Sequence, residues 1–133
     1  MNRSLGPREA AAGANCTPDY LRHVRRCRHL DGLGVRESKM VVYSVGEIIR
    51  IATAFYLSTR GFELRRAFEA VAERGAQIEA LGNASALRSG ADLVLHFGAD
   101  DPSCSALVVN VTVIAERVRD RLARFQQTTV AAA

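Results

Sequence analysis

The stretch Ala11-Ala12-Gly13-Ala14-Asn15-Cys16-Thr17-Pro18-Asp19-Tyr20-Leu21-Arg22 decides how the N-terminal third of the chain folds. The small residue Ala11 lets two helices cross closely, and Asn15 accepts the left-handed backbone of a tight turn at low cost. Thr17 is a favoured helix N-cap residue, and Pro18 suits the first position of the helix that follows. The stretch therefore predicts two short helices joined by a tight turn.

The second predicted helix, residues 17–30, combines an apolar stripe with a basic face. Leu21 and Val24 are three residues apart and would anchor this helix against the first one. The free face carries the side chains Arg22, His23, Arg25, Arg26, Arg28 and His29. This spacing is typical of a helix-turn-helix that reads DNA. The alternative is that these residues simply coat a solvated helix.

Length and charge fit a small protein with a polyanionic partner. The chain has 133 residues, 48% of them hydrophobic, which is enough for one core. Its net charge is +4, and the excess is local. Residues 1–43 hold eight basic and four acidic side chains, whereas residues 44–133 hold ten of each. The excess thus surrounds the basic helix, where attraction to phosphate requires it.

Other features exclude several classes of protein. No stretch approaches the apolar length of a membrane span, and the N-terminus lacks an apolar signal-peptide core, so we expect a cytoplasmic protein. Cys16, Cys27 and Cys104 cannot pair completely, which favours reduced thiols. Gly32-Leu33-Gly34 is too short for a dinucleotide fingerprint and does not follow a strand. We therefore expect no cofactor.

Turn and cap signals divide the rest of the chain. Pro7 opens the first helix, and residues 35–43 predict a short extended excursion or hairpin. Ser44 and Glu47 have the spacing of a capping box, which predicts a helix ending at Arg60-Gly61. A further helix follows from Phe62 onward, and it is closed by Gly82-Asn83 and kinked or divided at Gly75.

The last third changes from helical to strand-like patterning. Residues 93–97 and 105–111 predict two strands of a β-hairpin around a turn at 98–103. Thr112 is the predicted cap of a final amphipathic helix, whose apolar face carries Ile114, Val118, Leu122 and Phe125. Residues 127–133 are predicted to be disordered.

The order of these elements resembles the DNA-binding head of the MerR-like winged helix-turn-helix regulators, over roughly residues 7–81. In that family an aromatic and a capping residue follow the wing, and a Gly-Phe-x-Leu turn joins the next two helices. The matching positions here are Tyr43, Ser44, Gly61, Phe62 and Leu64. The resemblance implies a winged helix-turn-helix. The family's long dimerising coiled coil is absent, and the patterns after Gly82 predict a small β-hairpin and a C-terminal amphipathic helix instead, so the expected fold is mostly α.

The resemblance and the charge pattern together predict a bacterial or phage transcriptional regulator rather than an enzyme. Residues 1–82 would bind double-stranded DNA with helix 17–30 in the major groove. The expected DNA contacts are Thr17, Asp19, Arg22, Arg25, Arg26, Arg28, Arg36 and Lys39. Residues 83–126 would either form a dimerisation unit, with a homodimer through residues 93–125, or complete the core of a single domain.

Three alternatives rest on other residues. The helix at residues 114–125 could hold a protein partner, as an antitoxin-like module does, with no contact to DNA. His23 and Cys27 have a spacing that zinc accepts, although Cys27 falls on the apolar stripe, which favours a buried structural thiol over a metal ligand. His96, Asp100, Asp101, Ser103 and Cys104 include the residue types of a catalytic site, although Asp-Asp-Pro-Ser is also ordinary turn chemistry.

Overall fold

Two short helices and a tight turn form the N-terminal part of the protein, as the sequence predicts. The computed structural model describes residues 5–82, 92–96 and 106–132. Helix α1 spans Pro7–Gly13 and helix α2 spans Pro18–Arg26. Asn15 adopts a left-handed φ of 61° between them, and the Thr17 hydroxyl accepts a hydrogen bond from the backbone N–H of Tyr20 at 3.1 Å.

Helix α2 ends four residues earlier than the predicted limit of residue 30. The backbone N–H of Arg28 bonds to the Arg25 carbonyl at 2.9 Å, and that of His29 bonds to the Val24 carbonyl at 3.3 Å. This pattern is a Schellman cap, and Arg28 occupies its left-handed position with a φ of 67°. The prediction of helix 17–30 was wrong at its C-terminal end because Leu30, although buried, lies beyond the cap.

A small antiparallel hairpin follows α2 and confirms the extended excursion. Strand β1 spans Val35–Glu37 and strand β2 spans Met40–Val42, with Arg36 opposite Val41. Immediately after β2, Tyr43 exchanges two backbone hydrogen bonds of 2.8 Å with Leu5. The hairpin is therefore tied to the residues that precede α1.

Three helices form the centre of the chain. Helix α3 spans Val45–Thr59 and begins with the predicted capping box of Ser44 and Glu47. Helix α4 spans Leu64–Glu73 and helix α5 spans Gly75–Gly82, so the chain is divided next to Gly75. A β-carbon at Gly75 would lie 2.6 Å from the Arg50 guanidinium carbon, which shows how closely α5 packs against α3.

The C-terminal part contains a second hairpin and the longest helix. Strands β3 (Asp92–His96) and β4 (Ala106–Asn110) pair antiparallel, and helix α6 spans Val111–Ala132. Two predictions were wrong here. The cap is Asn110, whose side-chain oxygen accepts from the Val113 N–H at 3.1 Å, while Thr112 is buried inside the helix. Residues 127–132 are helical rather than disordered, because no glycine or proline interrupts them.

One hydrophobic cluster includes residues from α1 through α6. Helix α6 packs against α1, α3 and α5, and it buries Ile114, Val118 and Leu122 in that cluster. A β-carbon at Gly13 would lie 2.9 Å from Ile48 and 3.1 Å from Leu122, so α1, α3 and α6 meet where Gly13 has no side chain. This is the packing expected if the C-terminal segment completes a single core.

Candidate nucleic-acid interface

The solvent face of α2 presents two arginines one helical turn apart. Arg22 and Arg26 are both exposed, as are Thr17 and Asp19 near the start of the helix. Arg22 forms an ion pair of 3.2 Å with Asp19, and these side chains are 68% and 88% exposed. A pair this open to solvent contributes little to folding, so Arg22 remains accessible to another anion.

Arg25 does not lie on that free face. Its guanidinium donates to the Tyr43 hydroxyl from Nη2 at 2.8 Å and from Nε at 3.1 Å, and to the Leu33 carbonyl at 2.8 Å. The guanidinium carbon also lies 5.3 Å from the centre of the Tyr43 ring, and Tyr43 is only 3% exposed. The prediction that Arg25 lies on the free face was wrong: its hydrogen bonds join α2 to the segments on both sides of the hairpin.

Glu47 fixes the same junction from helix α3. One carboxylate oxygen accepts from the Ser44 N–H at 3.0 Å, and the other accepts from the Gly34 N–H at 2.6 Å. Gly34 has a φ of +79°, and a β-carbon there would lie 2.7 Å from Val41 and 2.9 Å from the Tyr43 ring. The loop between α2 and β1 is thus held by both a hydrogen bond and a close backbone approach.

The hairpin and the end of α2 add three exposed cations, Arg28, Arg36 and Lys39. Arg28 lies in the cap of α2 rather than on the predicted helix. Exposed acidic side chains, Asp31 and Glu37, lie on the same segments and reduce the local positive excess. The surface can attract a polyanion, and the cations that remain exposed on α2 and the hairpin are Arg22, Arg26, Arg28, Arg36 and Lys39.

The described residues add no third ligand to the candidate metal pair, and most of the candidate catalytic residues lie outside them. His23 Nε2 lies 3.8 Å from Cys27 Sγ, but residues 5–82, 92–96 and 106–132 contain no group of three metal-ligating side chains. Cys27 is exposed, so its predicted role as a buried thiol was wrong. Burial instead raises the pKa of the Cys16 thiol to about 11, which keeps that thiol protonated at neutral pH. His96 lies on β3, whereas Asp100, Asp101, Ser103 and Cys104 are outside the described residues.

Comparison with known proteins gives no family assignment. No protein-family model matches the chain, and no curated protein matches it significantly in sequence. Within the part of the chain that the structure describes, none of the helices has both the length and the apolar character needed to cross a bilayer.

The junction around Arg25 could not be recognised from residue types alone. Glu47 was expected only as a capping-box residue, and its second hydrogen bond to Gly34 spans thirteen positions of sequence. Tyr43 lies eighteen positions from Arg25. The available signal was a tyrosine directly before a capping box and after a loop with two glycines, and that pattern does not specify which arginine the hydroxyl meets.

Proposed function

We propose that the protein binds double-stranded DNA and acts as a bacterial or phage transcriptional regulator of the winged helix-turn-helix type. The observation that carries the proposal is the junction of Arg25 with Tyr43 and Leu33. This junction holds a hairpin with exposed cations beside a helix whose free face carries Arg22 and Arg26. Two basic elements held in a fixed relation are what a protein needs to contact base edges and flanking phosphates together.

Helix α2 has a suitable size for the major groove. A helix with its side chains is about 10–12 Å in diameter, which fits the major groove of about 12 Å in width. The nine residues of α2 extend for about 13 Å. In this proposal Arg22 and Arg26 contact base edges or phosphates, because arginine donates in a bidentate manner to guanine and to phosphate oxygens. Thr17 and Asp19 lie where the helix would enter the groove, and the Asp19 carboxylate could accept from a base amino group, in the commonest pairing that of cytosine.

The remaining cations take supporting roles in the proposal. Arg28, Arg36 and Lys39 would contact phosphates on either side of the groove and so fix the orientation of the protein without selecting sequence. Arg25 is a positioning residue, since its Nε and Nη2 donors are used within the protein. Binding to DNA in a bacterial cell would place the protein in the cytoplasm.

A homodimer would let two copies contact paired half-sites. Of residues 93–125, Ile114, Val118 and Leu122 on the apolar face of α6 are buried in the core. Among the side chains near β4 whose exposure the structure describes, Val108 and Val113 are large, apolar and exposed, at 58% and 37%. We propose contact through this part if the protein dimerises, and analytical ultracentrifugation of the full chain with and without Val108→Glu tests it. A change from dimer to monomer supports the contact, and a wild-type monomer argues against it.

The decisive experiment measures affinity for duplex DNA from the region upstream of the protein's own gene, across a salt series. Neutralisation of five phosphates by the five exposed cations would give a slope of log K against log salt of about −4.5. Arg26→Gln is expected to make the slope shallower by about 0.9 and to weaken binding. Arg124→Gln, an exposed position on α6, removes the same charge and should leave both values unchanged.

Two outcomes would overturn the proposal. One is no binding of the folded protein to the duplex at low salt. The other is an equal effect of Arg26→Gln and Arg124→Gln, because attraction would then depend on overall charge and not on α2. The first result would favour a module that binds protein rather than DNA, and the second would reduce the interaction to non-specific attraction between charges.

A further inference from the structure

A cavity of about 260 Å³ lies on the side of the molecule where α1, α3 and α6 meet. It is bounded by the turn after α1, by the C-terminal half of α3 and by the first half of α6. Neither α2 cations nor hairpin cations line it. The cavity is therefore separate from the proposed DNA surface, although Asn15 of the α1–α2 turn forms part of its wall.

One side of the cavity wall is apolar and aromatic, while Asn15, Thr59 and two arginines make the rest of the wall polar. Ala14, Ala52 and Ile114 are buried and contribute small or aliphatic surface, and the half-buried ring of Phe55 lies beside them. The ring of Tyr56 completes this side. Aromatic side chains in the wall suit a planar apolar group, because ring surfaces gain dispersion and stacking energy against one another.

The cavity is also lined by Arg117 and Arg121, which lie on consecutive turns of α6. None of the described acidic residues lines it. Arg121 uses its Nε to donate to the Gly13 carbonyl at 2.9 Å, which fixes one edge of the guanidinium. In the described part of the chain, neither arginine forms an ion pair with an acidic side chain. Partial burial and the neighbouring Arg117 both lower the pKa of Arg121, as expected for two like charges without an anion.

We propose that this cavity binds a small aromatic carboxylate, whose ring lies against Phe55 and Tyr56 and whose carboxylate pairs with Arg117 and Arg121. A planar carboxylate matches the fork of guanidinium donors and would relieve the repulsion between the two cations. The volume, just below the usual range of ligand-binding cavities, has room for a ligand of one ring.

The test uses the full chain and follows backbone amide resonances by NMR while benzoate is added. Saturable shifts are expected for residues of the cavity wall, including Asn15. Benzamide, which has the ring without the charge, and acetate, which has the charge without the ring, should each bind at least tenfold more weakly. Arg117→Gln changes an exposed residue and should weaken benzoate at least tenfold, whereas Arg124→Gln on the same helix should not weaken it.

A second variant tests the cavity itself. Thr59 is exposed and lines the opening, so Thr59→Trp should fill it and abolish the benzoate shifts while the spectrum remains that of a folded protein. The proposal is overturned if inorganic phosphate or acetate binds as well as benzoate, since the site would then be only a patch of positive charge. It is also overturned if Arg117→Gln and Arg124→Gln bind benzoate equally.

Discussion

Substitution of Gly34 by alanine is expected to destabilise the protein far more than the same change at Gly32. Both glycines have a left-handed backbone, with φ of +79° at Gly34 and +83° at Gly32. Alanine therefore has a conformational cost of about 1 kcal/mol at either position. A β-carbon at Gly32 has nothing within 4 Å, whereas at Gly34 it would lie 2.9 Å from the Tyr43 ring and 3.1 Å from Arg25 Nη2.

The difference between the two variants measures the packing at the junction of α2 and the hairpin. Overpacking a well-filled site costs about 1–3 kcal/mol, and displacement of the ring would also weaken the hydrogen bonds of Arg25 to the Tyr43 hydroxyl. We expect Gly34→Ala to lower the free energy of unfolding by about 3 kcal/mol and Gly32→Ala by about 1 kcal/mol.

Urea denaturation followed by circular dichroism gives both values under identical conditions. The comparison is valid if the dependence of the unfolding free energy on urea is the same for both variants and the wild type, since only the midpoint then differs. Equal destabilisation by the two substitutions would refute the close packing at Gly34, and with it the fixed position of the hairpin beside α2.

Three further substitutions separate stability from DNA binding. Asp19→Asn removes the acidic partner of Arg22 and should raise duplex affinity roughly two- to fivefold, because such exposed ion pairs are worth less than about 1 kcal/mol. A lower affinity in an anisotropy assay would instead indicate that Asp19 contacts a base. Tyr43→Phe removes the acceptor of two hydrogen bonds from Arg25 and should lower the free energy of unfolding by about 1.5–3 kcal/mol in urea, with a less-than-additive effect when Arg25→Met is added. Arg28→Gly removes the conformational strain of a left-handed backbone at the cap of α2, so it should stabilise the fold by up to about 1 kcal/mol. The same change should weaken duplex binding. A variant that loses stability would show that the Arg28 side chain supports the cap.

Local signals in the sequence predicted the local structure well. The caps at Thr17 and at Ser44 with Glu47 have short-range hydrogen bonds that residue types and spacing specify directly. The left-handed turn at Asn15 was also predictable from residue type, because asparagine is one of the few residues that tolerate a left-handed backbone. The first hairpin was expected as an extended excursion and lies within the predicted range.

The sequence-based predictions were wrong where the structure depends on a contact between residues far apart in sequence, or on a residue type that is unusual at its position. Helix α2 ends at a cap occupied by Arg28 instead of glycine, so the apolar spacing continued past it to Leu30. The partner of Arg25 lies beyond the hairpin, and a charge pattern cannot distinguish an arginine that faces solvent from one that bonds a buried tyrosine. Asn110 and Thr112 are both residue types that cap helices well, so residue type alone does not show that Asn110 is the cap.

The most direct test of the central claim observes the arginine side chains themselves while duplex DNA is added. The Nε–Hε resonances of Arg22, Arg26 and Arg36 are predicted to shift and to become protected from exchange with water, since these groups would meet phosphates or bases. The resonance of Arg25, already hydrogen-bonded to Tyr43, should stay in place, and so should that of Arg124 on α6. Shifts confined to α6, or the same small shift at every arginine, would contradict the account.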